Sequence, residues 1–209
     1  MGKELIFYTN PQSRGNIVQW MLEEIGAPYR TEVLQYGTTM KSPEYLAINP
    51  MGKVPAIKHG DTVVTETAAI CAYLADAFPE AGLAPALSER GEYYRWLFFT
   101  AGCVEQAWTN ETAGFIPSVE QQRMFGYGSV ELTMNTLAQA VKGRRYIAGD
   151  RFTAADVYVG RNIWFGIQFG KMGKWPEFVA YWNGLKDRPA LLRSDEKIAQ
   201  LLAAQLKAE

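Results

Sequence analysis

The stretch from Asn49 to Ile70 leaves this chain few ways to fold. Pro50 and Gly52 punctuate a loop that runs Asn49-Pro50-Met51-Gly52-Lys53-Val54-Pro55. Ala56-Ile57-Lys58 and Thr62-Val63-Val64 are short β-prone runs on either side of His59-Gly60-Asp61, and they predict a hairpin. Ile70, Tyr73, Leu74 and Ala77 then recur at helical spacing. Pro55 has no N–H to give to a ladder, so the backbone of Val54 stands where it can pair with another extended segment. Glu66-Thr67 opens the helix, whose first N–H groups and dipole favour a carboxylate. An extended peptide matches these demands: its backbone pairs with Val54, its carboxylate sits on Thr67, and its amino group faces Glu66.

The preceding segment supplies a strand–helix–strand unit. Leu5-Ile6-Phe7-Tyr8 is a short strand and Asn10-Pro11-Gln12 a turn. A helix starts at Ser13 or Arg14 and runs to about Ile25, where Gly26 closes it. Ile17, Met21 and Ile25, with Val18 and Leu22, form its apolar face, Trp20 reads as a packing residue, and Gln19, Glu23 and Glu24 take the wet face. Tyr29 to Leu34 is the second strand, and a crossover of this length makes a right-handed βαβ unit. Ser42 caps a short helix with Pro43 at its first position. The full order is β-α-β-α-β-β-α, that of the thioredoxin-like fold.

Phe78 to Pro85 breaks the pattern, and the strand signals stop there. The boundaries expected are 1–79 for the α/β domain, 80–86 for a linker and 87–209 for an all-helical domain. Within the latter, Ser88 to about Trp108 reads as one long helix. Glu120 to Lys142 reads as a second, with Val130, Met134, Leu137 and Val141 on one stripe. Thr153 and Asp156 have capping-box spacing, and Phe152 and Val157 are placed as a hydrophobic staple. A helix from Glu177 to about Asp187 and a polar terminal helix complete the chain.

A net charge of −1 gives no bulk attraction to nucleic acid or to a membrane surface. Neither a signal-peptide core nor a long apolar run is read in the sequence. The only cysteines are Cys71 and Cys103, without Cys-x-x-Cys spacing, and His59 is the only histidine. That pattern argues against a zinc site of the usual spacing and against a dithiol redox pair, so no metal is expected; a reducing cytoplasm is the expected location.

Val54-Pro55, followed eleven residues later by Glu66-Thr67 and then Ile70, resembles the glutathione site of the cytosolic glutathione transferases, in a bacterial-type form. In that family the proline is cis, the residue before it pairs with the cysteinyl part of glutathione, and the Glu-Ser/Thr pair holds the γ-glutamyl end. The Thr153/Asp156 segment is similar to the family's N-capping motif, whose role is folding. The resemblance implies glutathione as co-substrate, a small hydrophobic electrophile, detoxification chemistry and a homodimer. It also implies that Lys53, and more weakly Lys41, meets the glycyl carboxylate.

The glutathione sulfur is then expected near the first helix. Ser13 stands where the serine- and cysteine-type members carry the activating residue, and Tyr8 where the tyrosine-type members carry theirs. Arg14 resembles an arginine of some tyrosine-type members. The reading favours Ser13 over Tyr8 without closing the choice. The electrophile is expected between the domains, against Phe99, Gly102, Cys103, Gln106, Trp108, Phe115, Trp164 and Phe165. Two alternatives stand beside the transferase: a non-catalytic protein that holds glutathione or hydrophobic ligands, and a glutathione-dependent reductase or peroxidase.

Overall fold

The computed structural model describes residues 3–172 and 175–207. In chain order the elements are β1 (Leu5–Thr9), α1 (Gly15–Ile25), β2 (Arg30–Val33), α2 (Pro43–Leu46), β3 (Ala56–His59), β4 (Thr62–Thr65) and α3 (Thr67–Ala77). There follow α4 (Arg90–Phe99), α5 (Glu105–Thr112), α6 (Val130–Val141), α7 (Ala154–Gln168), α8 (Pro176–Asn183) and α9 (Pro189–Leu206). Two compact units divide them: one runs to Leu83 and takes in the chain from Asp187 on, and the other is Ala84–Lys186.

The first unit has the expected thioredoxin-like order. Its sheet is arranged β2-β1-β3-β4, with β1 parallel to β2 and antiparallel to β3, and β3 antiparallel to β4. Phe7, Ile17, Trp20, Met21, Ile57, Ile70 and Leu74 are buried in its core. Gly26 adopts a left-handed conformation and closes α1, and Ser42 Oγ accepts from Tyr45 N–H at the start of α2.

The wet face expected for α1 is dry. Gln19 and Glu23 are buried because α9 packs on that side of the helix. The terminal helix therefore belongs by its contacts to the first unit, although it lies within the 87–209 segment read as all-helical. It brings cations to the acidic residues it covers. Lys197 Nζ donates to Glu23 Oε1 at 2.6 Å, Arg193 Nε donates to Oε2 at 3.3 Å, and Arg188 donates twice to Glu24 at 2.7 and 2.8 Å.

The second unit is helical, as expected. The first long helix runs from Arg90 to Thr112, but a π-helical turn at Thr100–Val104 interrupts it between α4 and α5. The helix expected over 120–142 begins only at Val130. Gly126 and Gly128 break the run before it, Gly128 has φ +63°, and Ser129 Oγ caps the new helix by accepting from Leu132 N–H at 3.1 Å. The central helix α7 starts at the expected capping box. Asp156 accepts from Thr153 N–H at 2.8 Å, Ile147 N–H at 2.7 Å and Tyr181 Oη–H at 2.6 Å. Phe152 and Val157 are both buried beside it.

Candidate active site

The sheet register brings the separate sequence signals to one end of the sheet. Ala56, the first residue of β3, pairs with Tyr8 of β1 on one side and with Thr65 of β4 on the other. Antiparallel pairing thus sets the end of β1, the start of β3 and the end of β4 level. Val54-Pro55 leads into that register from one strand, Glu66-Thr67 leads out of it from the next, and Ser13 follows the end of the third.

The Val54–Pro55 bond is cis. The loop before it is held from beneath. Asn49 is buried, and its Nδ2 donates to the Lys53 carbonyl at 2.8 Å while its Oδ1 accepts from Met51 N–H at 3.1 Å. Tyr45 Oη–H donates to the same Lys53 carbonyl at 2.5 Å. Burial, with the Tyr8 hydroxyl as a smaller contributor, pushes the Tyr45 phenol up to about 12, so it remains a donor. Lys41 Nζ donates to the carbonyls of Met51 and Gly52 at 3.2 and 3.1 Å. Gly52 has φ +56°, and a Cβ there would lie 2.7 Å from the Met40 carbonyl, so both conformation and space require glycine. Val54 and Tyr8 pack against the buried Met40, Tyr45 and Ala56, with the Tyr8 and Tyr45 rings 5.6 Å apart. Lys53 and Lys41 are exposed, Val54 is half-buried and Pro55 is buried.

Glu66 caps α3 with φ 66° and ψ 118°, and no side chain caps the helix start. A non-glycine residue here costs about 1–3 kcal/mol, and such strain collects at ligand sites. Glu66 is exposed and Thr67 buried beside it. The first N–H groups of α3 therefore lack a side-chain cap and lie next in the chain to the Glu66 carboxylate.

The β1–α1 loop is organised by Asn10, also buried. Its Nδ2 donates to the Leu34 carbonyl at 2.8 Å, and its Oδ1 accepts from Gln12 N–H at 2.9 Å. Ser13 Oγ–H donates to the Asn10 carbonyl at 2.6 Å and accepts from Gly15 N–H at 2.9 Å. Ser13 N–H reaches the same Asn10 carbonyl at 3.1 Å. A Cβ on Gly15 would meet Thr9 Oγ1 at 2.0 Å, so only glycine lets α1 start this close to β1. Asn10 and Asn49 were not read as site residues from the sequence. Both precede proline, and that repeated Asn-Pro is the signal that marks them.

The residues expected against the electrophile fall into separate groups within the second unit. Trp108, Trp164 and Phe165 belong to an aromatic chain that includes Phe169 and Trp182, with ring centroids 5.1 to 6.4 Å apart. Phe115 packs against Phe125 with the rings tilted, and Cys103 Sγ donates to the Gly126 carbonyl at 3.5 Å. Phe99 pairs with Trp96, while Gly102 and Gln106 are exposed. Burial pushes both cysteine thiols up, away from thiolate. Among the described residues no cluster of three or more metal-ligating side chains is found, and no helix is long and apolar enough to cross a membrane.

The model of the glutathione S-transferase N-terminal domain matches residues 15–77. Glutathione S-transferase GST-4.5 of Xanthomonas campestris pv. campestris is 31% identical over 159 residues, 73% of this chain and 78% of that protein. A sphingomonad glutathione S-transferase complexed with glutathione superposes with a TM-score of 0.75 at 26% identity, covering 93% of this chain and 98% of that one. With its βαβαββα sheet and helical unit, this chain belongs to the glutathione S-transferase family. Similarity extends to a protein of another kind: elongation factor 1-gamma 3 of rice is 27% identical over 65% of this chain, which spans 34% of that factor.

Proposed function

We propose that this chain binds glutathione at the shared end of β1, β3 and β4 and activates its thiol as thiolate for attack on a hydrophobic electrophile. The observation that carries the reading is the pair of features flanking the Ala56–Thr65 register: the Val54-Pro55 entry to β3, braced by Asn49 and Tyr45 through the Lys53 carbonyl, and the strained Glu66 at a helix start without a side-chain cap. Val54 offers its backbone to the cysteinyl amide. Glu66 faces the γ-glutamyl ammonium, and Thr67 with the first turn of α3 takes the α-carboxylate. Lys53 meets the glycyl carboxylate. Lys41, engaged with two loop carbonyls, adds positive charge beside it.

A free thiol near pKa 8.5 is only about 3% ionised at pH 7. Lowering that pKa by about two units requires roughly 2.7 kcal/mol of preference for the anion, which a hydroxyl hydrogen bond and a helix start can supply. Ser13 is the favoured partner. Its proton lies on the Asn10 carbonyl, but that carbonyl keeps the Ser13 N–H when the hydroxyl turns to a sulfur. Arg14 and the start of α1 add positive potential. The thiol proton leaves to solvent, the sulfur forms a bond to the electrophilic carbon, and the leaving group departs with its electron pair.

The test is conjugation of glutathione to an electrophilic chloronitrobenzene by Ser13→Ala and Tyr8→Phe. We expect Ser13→Ala to lower kcat/KM by about tenfold or more and Tyr8→Phe by less than about threefold. Unchanged turnover in Ser13→Ala would overturn the assignment of Ser13. One observation favours a second reading, a protein that holds glutathione without turning it over: at 2.6 Å the Ser13 hydroxyl already has a good acceptor. That reading predicts binding with no thiolate formed.

A further inference from the structure

Two hydroxyl groups, not one, stand over the β1–α1 loop. The second is that of Tyr36, which comes from the loop after β2. Its Oη–H donates to the Gln12 carbonyl at 3.4 Å, and the Ser13 hydroxyl and Arg14 are its polar neighbours. Tyr36 is 55% exposed, so a solute can reach its hydroxyl. The two hydroxyls hold their protons differently. Ser13 donates over 2.6 Å, a short and well-made bond, whereas Tyr36 donates over 3.4 Å, at the long edge of hydrogen bonding. Tyr36 therefore gives up less when it turns to a better acceptor, and a thiolate is a better acceptor than a distant carbonyl.

We propose that Tyr36 is a further catalytic residue of this site, its hydroxyl leaving the Gln12 carbonyl to donate a hydrogen bond to the glutathione thiolate while keeping its proton. The inference rests on the glutathione reading given above. Burial pushes the Tyr36 phenol up, against the smaller opposing influence of Arg14 and Ser13, so the group remains O–H across the range in which a thiol ionises. A donor of that kind stabilises the sulfur anion without competing to lose its own proton. It also explains how the site can function while the Ser13 proton is engaged with Asn10. With both donors turned to the sulfur, the thiolate receives two hydrogen bonds from two different loops, and each fixes its direction for attack.

The test is a pH titration of thiolate absorbance with glutathione bound to the full chain, with calorimetric affinities measured in parallel. In Tyr36→Phe the affinity for glutathione is expected to stay within about threefold of wild type. The pKa of the bound thiol is expected to rise by about one unit, giving about threefold less thiolate at pH 7. Replacing Tyr36 by 3-fluorotyrosine keeps the ring and makes the phenol a stronger donor, so the bound thiol should become more acidic. A purely structural Tyr36 would give neither shift. If wild-type protein binds glutathione and the thiol pKa is the same in all three proteins, the inference is overturned while the glutathione reading survives. If wild-type protein does not bind glutathione at all, both are overturned.

Discussion

At the scale of single residues, Glu66 carries the most information. It has the one positive φ outside glycine among the described residues, and it lies where the sequence pattern asks for a ligand carboxylate and ammonium. Strain of this kind persists only where the surrounding structure over-determines it, and it clusters at ligand clamps and active sites. Glu66→Gly should relax the backbone, so it is expected to be about 1 kcal/mol more stable in urea than Glu66→Ala, while both variants lose glutathione affinity. A Glu66→Gly protein less stable than Glu66→Ala would mean that the backbone there is not strained. Asp156 is a second such residue, with a structural role. It is buried with three strong donors on it, so Asp156→Ala should lower stability by about 3 kcal/mol or more, read as a fall in Tm. A loss under about 1 kcal/mol would contradict that role. Part of the candidate loop was legible in the sequence, because Gly52 is the residue type that the backbone there demands, whereas Glu66 stands in the pattern against the preference of its own backbone. What was not legible depends on distance in space. No spacing rule places the Ser13 hydroxyl on Asn10, joins Asn49 to Lys53 or sets Tyr36 over the same loop.

At the scale of elements, periodicity read the faces of α1 correctly but not their partners. A polar face signals solvent only when nothing else in the chain can cover it, and α9 with Arg188 at its N-cap carries the three cations that do. Sequence spacing within one helix holds no record of a second helix more than a hundred residues away. The start of α6 was misplaced for a different reason: the apolar stripe was real, but Gly126 and Gly128 stop it extending backwards. The α1–α9 clasp has a pH signature. Burial alone would raise the Glu23 carboxyl, but hydrogen bonds from Lys197, Tyr29 and Arg193 and the Lys197 charge hold it below its ordinary 4.5. A depressed folded pKa contributes stability above the unfolded value, and that contribution is lost as pH falls through the folded pKa. Glu23→Gln should therefore be less stable than wild type by about 1–3 kcal/mol at pH 7. The gap is expected to close as pH is lowered from 7 through the folded Glu23 pKa, which lies under the ordinary 4.5. A gap in urea unfolding that is the same at both ends of this range would contradict the clasp.

At the scale of the whole molecule, family membership and fold agree with the architecture read from the order of strand and helix signals. Function needs more than fold, because sites are grafted onto folds. The homodimer implied by the family resemblance is a proposal of the same rank. Sedimentation equilibrium should return twice the 23.4 kDa chain mass, and a stable monomer would contradict it. The central claim is that the end of the sheet binds glutathione and ionises its thiol. Calorimetric titration of glutathione at pH 7, with thiolate absorbance followed on the same samples, tests it most directly. We expect one saturable site per chain at or below millimolar glutathione, with absorbance rising as the site fills. Saturable heat without absorbance would contradict thiol activation and leave a holding protein, and no heat at millimolar glutathione would contradict the site itself.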